Sequence, residues 1–226
     1  MALLACCALV AVGSCSTQSR IPPSVNPNQA REVTDDAGRG VTLPGRVDRF
    51  VSLAPNLTEI AYAIGAGPRL VGTTTFCNFP EQAQSVTKVG DTLQPSIERI
   101  LALQPQLVLV STASQLEAFT KQLNEQQIAV YITDPHDLEG VFRTITNLGE
   151  VLNEPVAAAE VVKQLRLRSE TVEQKVAGRT PVRVFFQLSG QPLYTAGKTS
   201  FVTNLIDRAG GKSVTADVHE AWPRLS

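Results

Sequence analysis

The sequence predicts an α/β fold built on a parallel sheet. Three observations carry this. Short apolar segments alternate with segments of helical periodicity, the order that a parallel sheet with crossover helices requires. Leu107-Val108-Leu109-Val110 is apolar without interruption, as a strand buried on both faces must be. Pro155 to Arg179 reads as one long helix, roughly 35 Å at 1.5 Å per residue. Val162, Leu165, Ser169, Val172 and Val176 give that helix a thin apolar stripe, with Lys163, Gln164, Arg166, Glu170, Glu173 and Gln174 on its polar side. Asn153 or Glu154 suits its start, and Gly178 with Pro181 its end. Such a helix braces two lobes, lies on the surface of one domain, or forms half of a coiled coil.

The elements follow in order. Met1 to Val12 is a short apolar run closed by Gly13-Ser14-Cys15-Ser16, the pattern of a secretory signal and too short for a transmembrane helix. Val12-Gly13-Ser14-Cys15 resembles the bacterial lipobox, which makes Cys15 the lipidated residue. No Lys or Arg precedes the run, so the true start is expected upstream. Residues 16–30 are rich in Ser, Pro, Asn and Gln and read as a tether. Glu32 to Leu43 predicts a hairpin turning at Asp35-Asp36-Ala37-Gly38. Phe50 to Leu53 is the first core strand. Asn56 with Glu59 looks like a helix cap, and Leu57, Ile60, Ala61 and Ile64 form the buried face that follows. Leu70-Val71-Gly72 is a strand, and Lys88-Val89-Gly90 a short edge. Pro95-Ser96 opens a helix through Leu103. Strand Leu107–Val110, helix Gln115–Leu123, strand Ile128–Ile132 and helix Leu138–Leu152 complete residues 31–153 as a first lobe, with the long helix at 154–179.

After it, Val182 to Gln187 is a strand, Ser189 to Gly197 a loop and Thr199 to Ala209 a helix. Phe201, Val202, Leu205 and Ile206 face inward there. Val214 to Ser226 is loop. One strand and one helix cannot enclose a core. Residues 180–226 are therefore read as the start of an incomplete C-terminal lobe, with further strand–helix units expected beyond Ser226.

The chemistry is bounded as follows. A net charge of −1, with 43% hydrophobic and 18% charged residues, describes an ordinary globular chain and gives no electrostatic case for nucleic acid. Cys77 stands apart from Cys6, Cys7 and Cys15, which excludes an internal disulfide framework. No Cys/His cluster has metal-ligand spacing. No G-x-S-x-G occurs. Gly197-Lys198-Thr199 mimics the end of a phosphate loop, but Pro192 occupies the place of its first glycine. His136, flanked by Asp134 and Asp137, and His219 fall in loops, as solvated side chains or as contacts to haem or metal. A small α/β enzyme remains the alternative from another class, and it lacks a visible base and nucleophile. In parallel sheets ligands bind beyond the carboxyl ends of the strands. Those ends carry Pro55, Asn56, Phe76 and Phe79.

Arg49-Phe50-Val51-Ser52-Leu53-Ala54-Pro55-Asn56-Leu57-Thr58-Glu59 and the block from Val89-Gly90 through Ile97-Glu98-Arg99 to Leu109 resemble motifs of one family. It comprises the substrate-binding proteins of ABC importers for cobalamin, haem and iron–siderophores. Val33 to Pro44 is similar to the family's opening hairpin. Val184-Phe185-Phe186-Gln187, Tyr194 to Lys198 and Ala221-Trp222-Pro223 look closest to its cobalamin-binding members. The resemblance spans Arg31 to Ser226. It implies a two-lobed periplasmic binding protein with a single long helix joining the lobes. It further implies no enzymatic activity, no cofactor, and cobalamin or a related corrinoid as the ligand in the cleft. A haem or ferric-siderophore ligand is the alternative. Pro55, Asn56, Phe76, Phe79, Tyr194 and Trp222 match ligand-binding positions, and Glu98 matches the acidic residue that docks on the permease, its second-lobe counterpart falling past Ser226. The implied protein is a monomer in the periplasm or at the cell surface, held to the membrane by a lipid.

Overall fold

The computed structural model describes residues 29–111 and 117–225. Cys15, the signal segment and most of the tether lie outside them. The fold class matches the expectation. Its centre is a four-stranded parallel sheet of β3 (Phe50–Ser52), β4 (Leu70–Thr73), β5 (Leu107–Ser111) and β6 (Ala129–Thr133), in the order β4-β3-β5-β6. Leu107 and Leu109 point into one layer of core, and Val108 and Val110 into the other. That alternation is why β5 carries no polar residue until Ser111.

Helices α1 (Pro55–Ala63) and α4 (Leu138–Val151) cover the first face, through Leu57, Ala61, Ile145 and Leu148. Helices α2 (Ile97–Ala102) and α3 (Glu117–Glu125) cover the second, through Ile100 and Leu123. The chain leaves β3 for β4 on one side, then returns to β5 on the other. The sheet thus has a switch point between β3 and β5, the place beyond the strand ends at which parallel sheets commonly take ligands.

The first hairpin, β1 (Arg31–Thr34) with β2 (Gly40–Leu43), is antiparallel as expected. Its turn closes the outer edge of the sheet. The amide of Asp36 donates to the Ile132 carbonyl at 3.0 Å, Ile132 donates to the Asp35 carboxylate at 3.3 Å, and Arg39 donates to the Val130 carbonyl at 3.2 Å. Asp35 also accepts from the amides of Ala37 and Arg39 and pairs with the Arg39 guanidinium, which satisfies its buried carboxylate.

The long helix α5 runs from Pro155 to Val176, three residues short of the expected end. Gly178, at φ 73°, turns the chain away there. Only Ala158 is fully buried on α5, and Val161, Val162 and Leu165 pack against the first core layer. Gly149 of α4 makes this approach possible, because a methyl at Gly149 would land on the Ala158 side chain. Arg69 ties the helix start down, donating to the carbonyls of Val47 and Leu152 at 2.6 Å each and to Glu154 at 2.7 Å.

Farther along, the expected stripe holds at Leu165, Ser169 and Val176, which are half-buried, and fails at Val172, which is exposed. Beside Val172, the partly exposed Glu173 meets Arg208 at 2.7 Å.

The remaining residues depart most from expectation. The strand read over Val182–Gln187 breaks in two. Its first part, β7 (Val182–Val184), pairs in parallel with β10 (Gly211–Ser213). Its last residue opens β8 (Gln187–Gly190), which pairs with β9 (Leu193–Thr195) in a hairpin where a loop was expected. Gly190-Gln191-Pro192 supplies the turn chemistry. A further strand, β11 (Arg224–Leu225), lies on β9 inside the segment read as loop.

Helix α6 (Phe201–Arg208) forms with Ser200 as its cap, but its buried residue is Thr203, and Leu205 is exposed. Hydroxyls rather than hydrocarbon organise this region. The buried Ala196 carbonyl accepts from Thr215 at 2.7 Å and from Thr203 and Ser213 at 3.5 Å each.

Candidate functional site

The strand ends bring two groups of sequence-predicted residues to defined places. The first group is Pro55, Asn56, Phe76 and Phe79. Pro55 is the first residue of α1, where a missing amide hydrogen costs nothing. Asn56 was expected to cap this helix and does not. The cap position is Ala54, with no side-chain hydrogen bond, and Asn56 sits exposed in the first turn. Pro55 starts the helix two residues earlier than the Asn-to-Glu spacing suggested.

Phe76 and Phe79 stand on the segment that follows β4. Phe76 is 60% and Phe79 64% exposed, while Thr74, Cys77 and Ala83 beside them are fully buried. The segment is held from below. Thr74 Oγ1 lies 3.2 Å from Cys77 Sγ, and the amides of Cys77 and Ala83 donate to the carbonyls of Thr74 and Pro80. Lys88, read from sequence only as part of a short edge, reaches across from the adjoining chain. Its Nζ donates to Thr73 Oγ1 at 2.9 Å, to the Cys77 carbonyl at 2.8 Å and to the Ala83 carbonyl at 2.9 Å. The only sequence signal for this was a lysine in a segment otherwise suited to a strand.

The second group is Tyr194 and Trp222. The β11–β9 register sets Arg224 opposite Tyr194, and Thr195 donates to the Pro223 carbonyl at 3.2 Å. Gly197 donates to the Ala221 carbonyl at 2.9 Å, so Trp222 lies between two cross-strand bonds. Trp222 is 42% exposed and Tyr194 half-buried. Among the described residues no hydrogen bond or ion pair joins this group to the first.

His136 is exposed, with Nε2 3.1 Å from Asp134 Oδ2. Asp137, the other expected partner, caps α4 instead, accepting from Gly140 at 2.6 Å. His136, Asp134, Asp36, Arg143 and Asn147 line a cavity of about 210 Å³ at the end of β6. His219 is exposed, and its carbonyl accepts from Thr199 Oγ1. Among the described residues no three His, Cys, Asp or Glu side chains converge as a metal site.

Glu98 lies in the first turn of α2, exposed. Ser96 caps that helix and donates to the Glu98 carboxylate at 2.9 Å. Its own backbone N–H and then the Ser96 hydroxyl hold the Glu98 carboxyl below its ordinary range, so a negative charge is fixed at the surface.

Comparison with known proteins supplies the context. The pattern of a family described as periplasmic binding protein matches residues 50–226. The vitamin B12-binding protein of Yersinia pestis (strain Pestoides F) is 30% identical over 187 residues, 82% of this chain and 67% of the relative. Among solved structures, the periplasmic vitamin B12 binding protein BtuF of Vibrio cholerae superposes with a TM-score of 0.70 at 28% identity, covering 80% of this chain and 71% of that one. The periplasmic heme-binding protein RhuT from Roseiflexus sp. RS-1 gives 0.71 at 25% identity, with 80% and 71% covered.

Proposed function

This chain belongs to the periplasmic binding protein family, and we propose that it is the extracytoplasmic substrate-binding component of an ABC importer, with cobalamin or a related corrinoid as its ligand. In this reading it performs no chemistry. Residues 31–153 and 180–226 belong to two lobes joined by α5, and the ligand sits where the strand ends of both face one cleft. Cys15 carries a lipid that holds the protein to the membrane. Glu98 docks on a basic surface of the permease, for which an exposed carboxylate is suited.

One observation carries the ligand assignment. Phe76 and Phe79 are exposed beyond the strand ends on a segment whose backbone is fixed by hydrogen bonds. A folded chain gains by burying such rings, so two of them held outward call for a guest. A corrinoid is a broad disc with apolar faces and amide arms, and aromatic faces with a few polar groups suit it. The names of the relatives from Yersinia pestis and Vibrio cholerae support the same class.

The test is a titration of the protein with cyanocobalamin, haemin and a ferric siderophore, checked by equilibrium dialysis. Trp222 is the single tryptophan, so its fluorescence reports on one place. Saturable quenching by cyanocobalamin is expected, and it should weaken when Phe76 and Phe79 are replaced by alanine. Saturation by haemin or the siderophore, without binding of cyanocobalamin, would reject the corrinoid assignment.

A further inference from the structure

We infer that Lys88 is the positioning residue of the aromatic segment, its ammonium holding Phe76 and Phe79 outward in the arrangement that receives the ligand. The inference deepens the binding reading above and rests on it for the identity of the guest. Lys88 is half-buried and makes no ion pair among the described residues. A lysine withdrawn from water without a counter-ion needs its three N–H groups satisfied. Here Thr73 Oγ1 and the carbonyls of Cys77 and Ala83 take one each.

These acceptors are spread along the chain. Thr73 ends β4, Cys77 lies between the two phenylalanines, and Ala83 follows them. One cation therefore closes the segment at its start, its middle and its far end. The backbone of Lys88 is itself fixed. Residue 88 bridges Thr73 in parallel, Val89 donates to the Thr73 carbonyl at 2.9 Å, and Arg99 donates to the Lys88 carbonyl at 3.3 Å.

The consequence for binding is preorganisation. Left free, a surface segment with two phenylalanines would fold the rings onto itself or onto the sheet, and a ligand would have to undo that. A ring held outward is ordered before the guest arrives. Arginine cannot substitute, because its flat fork directs donors within one plane whereas the ammonium directs three to a tripod.

The experiment compares wild-type protein with Lys88→Met, Lys88→Arg and the double variant Phe76→Ala/Phe79→Ala. Backbone hydrogen exchange is read in the ligand-free protein, and cyanocobalamin affinity by Trp222 quenching and dialysis. In Lys88→Met, exchange should quicken over residues 74–85 while β5 and α4 keep wild-type rates. Affinity should fall about ten-fold, and Lys88→Arg should not restore it. Lys88→Gln, which keeps an amide donor without the charge, gives the same reading should the methionine variant fail to fold.

Unchanged exchange over 74–85 overturns the inference. So does faster exchange spread evenly over the chain, which would mark Lys88 as a general stabiliser. Local loosening with unchanged affinity overturns it as well. Full affinity in the double phenylalanine variant would instead sink the ligand reading, and the exchange data alone would then decide whether Lys88 holds the segment.

Discussion

Replacing Gly149 by alanine tests how the long helix is seated. A Cβ built at Gly149 falls on the Ala158 methyl, and it also lies 3.2 Å from the Glu154 carbonyl oxygen and 3.3 Å from Pro155 Cα. Carbon atoms in contact prefer about 3.5–4.0 Å. None of these neighbours is the far end of a flexible side chain, so relief requires α5 to shift away from α4. Overpacking costs about 1–3 kcal/mol, and an overlap that only a backbone shift relieves falls in the upper part of that range, about 2–3 kcal/mol. Alanine in place of glycine inside a helix returns about 1 kcal/mol. The net expectation is a loss of about 1–2 kcal/mol, which lowers the melting temperature by about 2–4 °C per kcal/mol in a chain of this size. Ala158→Gly removes the opposing methyl. The double variant should recover more than the sum of the single effects, with a coupling of about 1–2 kcal/mol. Urea and thermal melts followed by circular dichroism on the four proteins complete the cycle. If Gly149→Ala matches or exceeds wild-type stability, or if the two changes simply add, then α4 and α5 do not meet as described.

Stability should also fall in alkali. Burial, and then the nearby carboxylates of Asp36 and Asp35, push the Tyr131 phenol up to about 12. An unfolded tyrosine releases its proton near pH 10, so between pH 10 and 12 the unfolded chain binds fewer protons and gains on the folded one. The contribution is whole below pH 10 and drains away as pH climbs through that window, about 1–3 kcal/mol in all. Tyr131→Phe should flatten this part of the pH–stability curve; an unaltered slope would mean that the phenol is not responsible. For Glu98, charge reversal by Glu98→Lys should reduce uptake through the transporter by about ten-fold. Cyanocobalamin affinity should stay the same, and a drop in affinity would count against the docking role.

The parallel sheet was legible in the sequence because both of its faces are covered. An apolar strand such as Leu107 to Val110 has no reading other than burial. Helices α1, α2 and α4 were legible as segments of helical spacing, and α2 also from its start at Ser96. Errors arose where tertiary contacts overrule local chemistry. Asn56 looked like a cap, but Pro55 begins the helix before it. Val172 matched the apolar period of α5, yet it is exposed, and the neighbouring Glu173 takes up the contact with Arg208. The segment from Val182 is apolar enough for one long strand, and only the separate partners β10 and β9 divide it. Pro55, Phe76 and Phe79 could be located beyond the strand ends from sequence. The closeness of Trp222 to the β9 strand could not, since it depends on the short β11 pairing. Lys88 was invisible as a functional residue because its three acceptors converge only in the fold.

The hairpin turn at Asp35 to Arg39 has a wider consequence. It occupies the open side of β6, while the chain at Lys88 and Val89 occupies the open side of β4. Among the described residues, Val130 and Ile132 on one border of the central sheet and Thr73 on the other thus have their backbone groups engaged, which shortens the row offered to a strand from a neighbouring molecule. Addition of strands to this sheet is thereby hindered on both sides, which disfavours fibre-like growth from it.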